Sequence, residues 1–365
     1  MQETSKKIKL IHVVESFGAG TLSMLSMICR CLDENIFDVV ILYSNREETP
    51  LDFKSMFPEH VKFQMVNMGK ELSLKNDFIS FIKIKNILKS RQPDIVHLHS
   101  SKAGFLGRAA CRLLNIHRVY YSPQGFSFLR TDVGYIKRCF FYYLEKLAML
   151  FGGTIVVSSE SERKEAYKLS NSTITINNVV DIDEIDKITS VLKNDSEIKV
   201  GISGRITFQR WPELFVSIAN TVIKTMPTVK FLWIGDGELR HILEKNNIEI
   251  TGWKKRNEAI GLLKSLDIYL HTSKWEGLPV AILEAMASGI PVICTNIIGN
   301  KDVVLHGITG YLANTEEEFV KYILELVKDK NLRKVLGLKG RKRIEENFEM
   351  RNLSTNLKKL YLDIS

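Results

Sequence analysis

Two glutamates with seven residues between them, Glu276 and Glu284, stand in the stretch Lys274-Trp275-Glu276-Gly277-Leu278-Pro279-Val280-Ala281-Ile282-Leu283-Glu284-Ala285-Met286-Ala287-Ser288-Gly289-Ile290-Pro291-Val292-Ile293. An ionised carboxylate only accepts hydrogen bonds, so a pair of them suits a hydroxyl-rich ligand such as a sugar. The bland alternative makes Glu284 a helix cap or solvated charge and Glu276 a loop charge. The flanking Gly-Leu-Pro and Ala-x-Ala-x-Gly-x-Pro-Val weigh against it. The elements around the pair decide where it points. Asp267 to Thr272 reads as a buried strand ending in polar residues. Ser273 to Leu278 is a loop in which Gly277 permits close backbone approach. Pro279 opens a helix over Val280 to Ser288, Gly289 stops it, and Ile290 to Cys294 is the next strand. This unit carries both glutamates to the carboxyl end of a parallel sheet, where open α/β folds bind ligands. The helix N-terminus there suits an anion such as a phosphate.

Other residue groups offer other chemistry. Ile8 to Val14 is a strand followed by Glu15-Ser16-Phe17-Gly18-Ala19-Gly20 and a helix over Thr21 to Leu32. A dinucleotide fingerprint fails here. Ser23 stands where the third glycine belongs, and the next strand, Phe37 to Tyr43, ends in Ser44-Asn45 without an acid for a ribose. The Gly18–Gly20 loop can still lie against a ligand. His97 and His99 share one face of the strand Asp94 to His99. With no third ligand in view, hydrogen-bonded histidines at a sheet end are expected rather than a metal pair. Cys29, Cys31, Cys111, Cys139 and Cys294 are scattered and odd in number, which fits buried or free thiols in a reducing cytoplasm.

The 365 residues suggest two domains of ~100–200 residues each. With 45% hydrophobic and 25% charged residues the chain is an ordinary globular enzyme in composition. No run reaches the ~18 uncharged apolar residues of a transmembrane helix; the richest, Cys139 to Val157, is broken by Glu145 and Lys146. Met1 to Lys7 runs straight into a strand pattern, unlike a signal peptide. The net charge of +9 favours anionic partners, but the basic residues are scattered, so nucleic acid is not expected. Strand and helix patterns alternate from Ile8 to Asn177, and the polar stretch Asp186 to Glu197 reads as a linker to a second series starting at Ile198. The aromatic helix Gly134 to Phe151, beside Lys137 and Arg138, is expected to pack on the sheet, with a membrane-facing role as the alternative. Leu353, Leu357, Leu360 and Tyr361 form the single apolar face of a closing helix.

Taken together these residues resemble the family 4 retaining glycosyltransferases. The glutamate pair in its setting, Gly204-Arg205 with a second base at Arg210, Gly235-Asp236-Gly237, and His306-Gly307-x-Thr309-Gly310 carry the likeness over nearly the whole chain. Ser100-Ser101-Lys102-Ala103-Gly104 and Tyr121-Ser122-Pro123-Gln124-Gly125-Phe126 look like the subset acting in bacterial surface-polysaccharide and capsule assembly. The resemblance implies two Rossmann-like doubly wound α/β domains facing across a cleft (GT-B). Their expected extents are 1–182 for the acceptor domain, 183–346 for the donor domain and 347–365 for a helix returning to the first. It implies that Arg205 and Arg210 neutralise the donor's diphosphate as charge develops on the leaving nucleotide. Gly204 belongs to that loop, and Asp236 to the donor side. Glu284 would hold the ribose hydroxyls. Glu276 and the Gly277–Leu278 backbone, before Pro279, would hold the donor sugar. Gly252 and Trp253 would lie at the base, and Gly18 and Gly20 near the diphosphate or acceptor. Gln124, Gly125, Ser101 and Lys102 would serve the sugar or acceptor.

Two departures from the family pattern matter. The second base is usually Lys and here is Arg210, which keeps the charge. The residue before Gly125 is often His and here is Gln124, which hydrogen-bonds but does not titrate. The implied reaction is retaining transfer of a sugar from a nucleotide-sugar, UDP-sugar favoured and GDP-sugar the alternative, to a hydroxyl of a lipid-linked glycan at the inner face of a membrane. A nucleotide-sugar epimerase and a non-catalytic nucleotide-sugar-binding protein are the rival readings. No cofactor is implied. Asp181-Ile182-Asp183 has the D-x-D form that binds metal in another glycosyltransferase fold, but it falls at the domain linker, so no essential metal is expected. Chelator should therefore leave activity unchanged; loss of activity restored by manganese overturns that expectation.

Overall fold

Short β-branched strands alternating with longer helices can bury both faces of a sheet only by crossing over, and they do so twice here. The computed structural model describes residues 6–69, 71–191, 197–246 and 248–363. Residues 1–5, on which the signal-peptide reading rests, and 192–196, in the middle of the expected linker, lie outside the described residues. The chain divides into two units, Met1–Asn178 with Arg351–Ser365, and Val179–Met350.

The first unit contains β1 (Ile8–Val14), α1 (Ala19–Arg30), β2 (Phe37–Tyr43), β3 (Lys62–Met65), α2 (Leu74–Arg91), β4 (Ile95–His99) and α3 (Ser101–Leu113). It continues with β5 (Val119–Ser122), α4 (Tyr135–Ala148), β6 (Thr154–Val157), α5 (Glu160–Ala166) and β7 (Thr173–Thr175). The second unit runs through α6 (Ile182–Lys187), β8 (Ile198–Ser203), α7 (Pro212–Thr225), β9 (Val229–Ile234), α8 (Arg240–Glu244), β10 (Glu249–Ile250), α9 (Arg256–Lys264) and β11 (Ile268–His271). It closes with α10 (Val280–Ala287), β12 (Val292–Thr295), α11 (Asn300–Val303), β13 (Gly310–Ala313), α12 (Glu316–Lys328) and α13 (Lys330–Asn347), before α14 (Met350–Leu362) ends the chain.

The first sheet is ordered β3-β2-β1-β4-β5-β6-β7 and the second β10-β9-β8-β11-β12-β13, both parallel throughout. In each, the strand order reverses once, between β1 and β4 and between β8 and β11. The loops leaving those strands diverge there and open a crevice at the carboxyl ends. Both fully buried cores are built from these strands and the helices over them.

The closing helix belongs to the first unit. Leu353, Leu357, Leu360 and Tyr361 are buried, as their helical spacing anticipates. Tyr361 Oη lies 2.5 Å from His97 Nδ1, Tyr120 Oη donates to Leu360 O at 2.8 Å, and Arg118 Nη2 donates to Tyr361 O at 2.8 Å. The polar stretch 186–197 is not, over its described part, a free linker. Asp186 and Lys187 end α6, and Val191 N donates to Gly261 O at 3.1 Å, docking the segment on the second unit. The chain instead enters and leaves that unit side by side, where Val180 N donates to Phe348 O at 2.9 Å. Asp181 is the cap of α6, accepting from Glu184 N at 2.9 Å.

Helix α13 is absent from the sequence reading. Its buried positions are Leu336, Gly337, Gly340 and Ile344, and two glycines give no apolar period to detect. Gly337 is there because of space: a Cβ on it would come 2.0 Å from Gly289 O, the residue that stops α10. In an open helix Gly→Ala adds about 1 kcal/mol of stability. Here the backbone must move, so Gly337→Ala is expected to cost about 1–3 kcal/mol, read as a lowered melting temperature.

Candidate functional site

The second unit brings Arg210 and Glu276 together at its switch point. After β8, Gly204 (φ 139°) turns the chain, a 3₁₀ turn runs over Phe208–Arg210, and Trp211 (φ 52°) leads into Pro212 at the start of α7. After β11, the loop 272–279 leads into α10. Hydrogen bonds stitch the two loops together: Lys274 N to Gln209 O at 2.9 Å, Thr272 Oγ1 to Arg210 O at 2.9 Å, and Gln209 Nε2 to Trp275 O at 2.9 Å. Glycines let further backbones meet, since a Cβ on Gly235 would fall 2.2 Å from Gly204 O and one on Gly299 2.3 Å from Gly277 O.

In this frame Arg210 Nη1 donates to Glu276 Oε1 at 2.5 Å, and Ser273 Oγ donates to the same oxygen at 2.9 Å. Arg210 Nη1 also lies 2.6 Å from His271 Nε2, which must therefore accept. The ring is left with its proton on Nδ1, facing Tyr269 Oη at 3.4 Å, while Tyr269 donates to Ser203 O at 3.3 Å. Burial, and then the Arg210 charge, push His271 down to about 4 despite Glu276, so it is neutral near pH 7. Burial alone would raise the Glu276 carboxyl, but the Arg210 guanidinium beside it, with Ser273 donating to the same oxygen, holds it below its usual value, so it is ionised. Glu284 is buried in α10 and accepts from Arg256 Nη1 at 2.6 Å; Arg256 Nε donates to Glu184 Oε1 at 3.0 Å. Burial would weaken the charge on Arg256, and the two carboxylates more than offset it.

Arg205 is half-buried in the loop that also carries Arg210. Asp236 accepts from Gly237 N at 2.8 Å and from Arg240 Nη1 at 2.7 Å, so its carboxylate shapes the turn after β9. Gly252 (φ 71°) forms the turn after β10 and Trp253 is exposed. Leu278 is buried, and Pro279 is the residue before α10.

The first unit gathers a second group at its own switch point. Gly18 precedes α1 and Gly20 lies in its first turn. Thr21 Oγ1 donates to Gln124 Oε1 at 2.5 Å, joining the Gly18–Gly20 loop to the loop after β5. Gln124 is left-handed (φ 55°), as is Gly125 (φ 93°), whose N–H donates to Glu162 Oε1 at 2.9 Å. Gln124 Nε2 reaches His99 Nδ1 at 3.4 Å, and His99 Nε2 lies 2.9 Å from His12 Nδ1. Because the amide donates, His99 carries its proton on Nε2 and passes a hydrogen bond to His12. His97 bonds Tyr361 and, through Nε2 at 2.9 Å, Ser122 Oγ. The pair seen in the sequence thus becomes a buried trio, His12, His97 and His99. The rings of His97 and His99 stack at 4.3 Å and 26°, so their in-plane lone pairs run side by side rather than converging on one point. Ser101 Oγ lies 3.0 Å from Ser127 Oγ. Lys102 Nζ donates to Gly69 O, Glu71 O and Asp77 Oδ1 at 2.5, 2.5 and 2.7 Å, which engages all three of its protons in holding the loop before α2.

Sequence reasoning missed His12, Glu184, Gln209, Arg256, His271 and Ser273. In the sequence His271 is only a polar end to an apolar strand. His12 pairs in register with His97 across β1 and β4, a juxtaposition with no local signal.

Residues 158–343 match the family model described as Glycosyl transferases group 1, and residues 20–184 the one described as Glycosyltransferase Family 4. The chain is 29% identical to the Escherichia coli UDP-Gal:alpha-D-GlcNAc-diphosphoundecaprenol alpha-1,3-galactosyltransferase, over 100% of this chain and 99% of that protein. It is 24% identical to the Staphylococcus aureus capsular polysaccharide biosynthesis glycosyltransferase CapM, over 81% of this chain and 84% of that protein. Among solved structures, Anabaena HepE in complex with UDP and glucose superposes with a TM-score of 0.79 at 15% identity, covering 98% of this chain and 100% of that one. The last likeness is one of fold: two parallel-sheet α/β domains of the GT-B type.

The histidine trio generates a pH prediction. Burial first, then the neighbouring rings, holds His12 and His97 well below 6.5, and burial holds His99 at about 3. The folded chain keeps them neutral, whereas the unfolded chain takes up protons below about pH 6.5. Their stabilising contribution is complete above that pH and is lost as pH falls toward the folded values. Stability should drop between about pH 6.5 and 5 by up to ~1.4 kcal/mol per pH unit per histidine. Denaturant unfolding at stepped pH checks this, and His99→Gln should flatten the slope.

Proposed function

The chain belongs to the group 1 glycosyl transferases, and from that membership we propose that it moves a sugar from a nucleotide-sugar to a hydroxyl of a lipid-linked glycan, with retention and without a metal. The ion pair of half-buried Arg210, in the loop shared with Arg205, with buried Glu276 is the observation that carries the reading. A leaving nucleoside diphosphate gains negative charge as the glycosidic bond breaks. In this reading the guanidinium groups of Arg205 and Arg210 stabilise that charge where it develops. The donor's phosphates draw on Arg210, and Glu276, kept ionised in a buried setting, is then available to accept from the sugar hydroxyls together with the Gly277–Leu278 backbone.

Glu284, held in one rotamer by Arg256, accepts from the ribose hydroxyls. Gly204, Asp236, Gly252 and Trp253 shape the loops about the diphosphate and base. On the other unit, Gly18, Gly20, Gln124, Gly125 and Ser101 serve the sugar and acceptor, while Lys102 acts through the shape of its loop. Retention follows from front-face attack, the leaving phosphate taking the acceptor's proton. UDP-sugar is the favoured donor, in keeping with the galactosyltransferase that matches over the whole chain, with GDP-sugar the alternative. The diphosphoundecaprenol acceptor in that protein's name supports a lipid-linked acceptor here, and CapM supports a place in surface-polysaccharide assembly; in this reading the transfer takes place at the inner face of the cytoplasmic membrane.

Nucleotide should be released only when acceptor is present; interconversion of the donor alone would mark an epimerase, and binding without turnover a non-catalytic protein. Across UDP-, GDP-, ADP- and dTDP-sugars, the true donor at ~100 times its dissociation constant should add ~2.7 kcal/mol to stability. Arg205→Ala should lower kcat by roughly 10²–10³, while Arg210→Lys, which keeps the charge, retains most activity. Full product formation by the Glu276→Ala, Arg205→Ala double variant defeats the assignment.

A further inference from the structure

Helix α4 has two unlike faces. Inward, Glu145 accepts from Arg108 Nη2 at 3.1 Å and from Tyr121 Oη at 2.7 Å, Ala148 is buried, and the Tyr142 ring meets Phe128 edge-on at 5.4 Å. These contacts fix the rotation of the helix and therefore what it shows outward. Outward stand Tyr135, Ile136, Phe140, Tyr143, Leu147 and, just past its end, Leu150, exposed by 78, 86, 49, 65, 47 and 75%. From Ile136 onward the spacing is four, three, four and three, which is one continuous stripe on a helix. Soluble surfaces scatter single large apolar residues; a contiguous row of this size marks a docking face.

Charge identifies the occupant. Lys137 and Lys146 are exposed beside the stripe and Arg138 is half-buried. The helix's one acid, Glu145, is the residue turned inward to Arg108. The outer face is thus apolar and cationic, with no anion. A second copy docked on the same stripe would set these cations against one another. An anionic bilayer meets both features, with apolar side chains at the boundary of headgroups and acyl chains and lysines among the phosphates.

We propose that α4 is the surface by which this protein docks on bilayers containing anionic lipids. The helix lies in the interface; no described helix is long and apolar enough to cross a membrane. Arg138 Nε donates to Phe128 O at 3.1 Å, and Ser127 Oγ lies 3.0 Å from Ser101 Oγ, so the start of α4 is tied to the turn that follows the Gln124–Gly125 loop. The docked face therefore brings a membrane-borne acceptor to the residues assigned to it. That last link rests on the transferase reading; the docking itself does not.

The test is sedimentation of the whole protein with vesicles of phosphatidylcholine, with and without phosphatidylglycerol. Wild type is expected to sediment with the anionic vesicles and to be released by salt. Ile136→Ser with Phe140→Ser should weaken partition at least tenfold, and Lys137→Glu with Lys146→Glu by roughly fivefold per cation lost. Melting temperatures should match wild type, since all four side chains face solvent. Transfer to a short-chain, soluble acceptor without vesicles should also be unchanged in these variants. Wild type left in the supernatant with both vesicles overturns the proposal, as does equal sedimentation of all variants. A concentration-dependent dimer abolished by Ile136→Ser with Phe140→Ser would give the face to a second copy. Vesicle binding without any transfer would instead sink the transferase reading and leave the surface standing.

Discussion

The candidate donor site depends on one interaction, the part-buried contact of Arg210 with Glu276. Removing Arg210 would leave the Glu276 carboxylate in a poorly solvated place without its counter-charge. The contact also fixes the local geometry. Because Arg210 donates to Glu276 and His271 at once, it sets the tautomer of His271 and thereby aims Tyr269 at the end of β8. The guanidinium thus adds a side-chain tie to the hydrogen bonds that already stitch together the two loops leaving the switch point between β8 and β11. An incoming phosphate would meet a cation whose present partner is a carboxylate, so anion binding and release of Glu276 are coupled by the same group.

The first unit solves a similar problem without charge. Its switch point, between β1 and β4, is filled by three neutral imidazoles. Their hydrogen bonds run outward to Tyr361 and Ser122 on one side and to Gln124 and Thr21 on the other. Burial keeps the rings uncharged, and neutrality lets His97 and His99 each donate and accept at once, while His12 accepts from His99 through Nδ1. The left-handed backbone at Gln124 is held by its own side chain on one flank and by Glu162 at Gly125 on the other. The closing helix joins the same array through Tyr361.

Helix α4 shows how one helix can serve both core and surface. Its inner face is settled by a buried ion pair, and its outer face is left largely to solvent. Aromatic content alone does not separate these roles, because Phe141 and Tyr142 pack inward while Phe140 and Tyr143 point out. Only the rotation imposed by Glu145 assigns them.

What the sequence by itself determined is the set of local signals. The Glu276–Glu284 spacing, Pro279 before a helix, Gly289 after it, and the alternation of strands and helices are readable because each rests on neighbours within a few residues. The parallel α/β fold follows from them, and the motifs they carry give the resemblance to the glycosyltransferase family that the family models bear out. Tertiary structure decided what depends on partners far apart in the chain. Arg210 finds Glu276 across 66 residues, and His12 finds His99 across 87. Arg256 bridges Glu184 and Glu284 from a third element. Helix α13 is held by the fit of Gly337 against Gly289, which leaves no apolar period to read. Burial, tautomer and ionisation arise only when these groups meet away from water, so no local pattern encodes them.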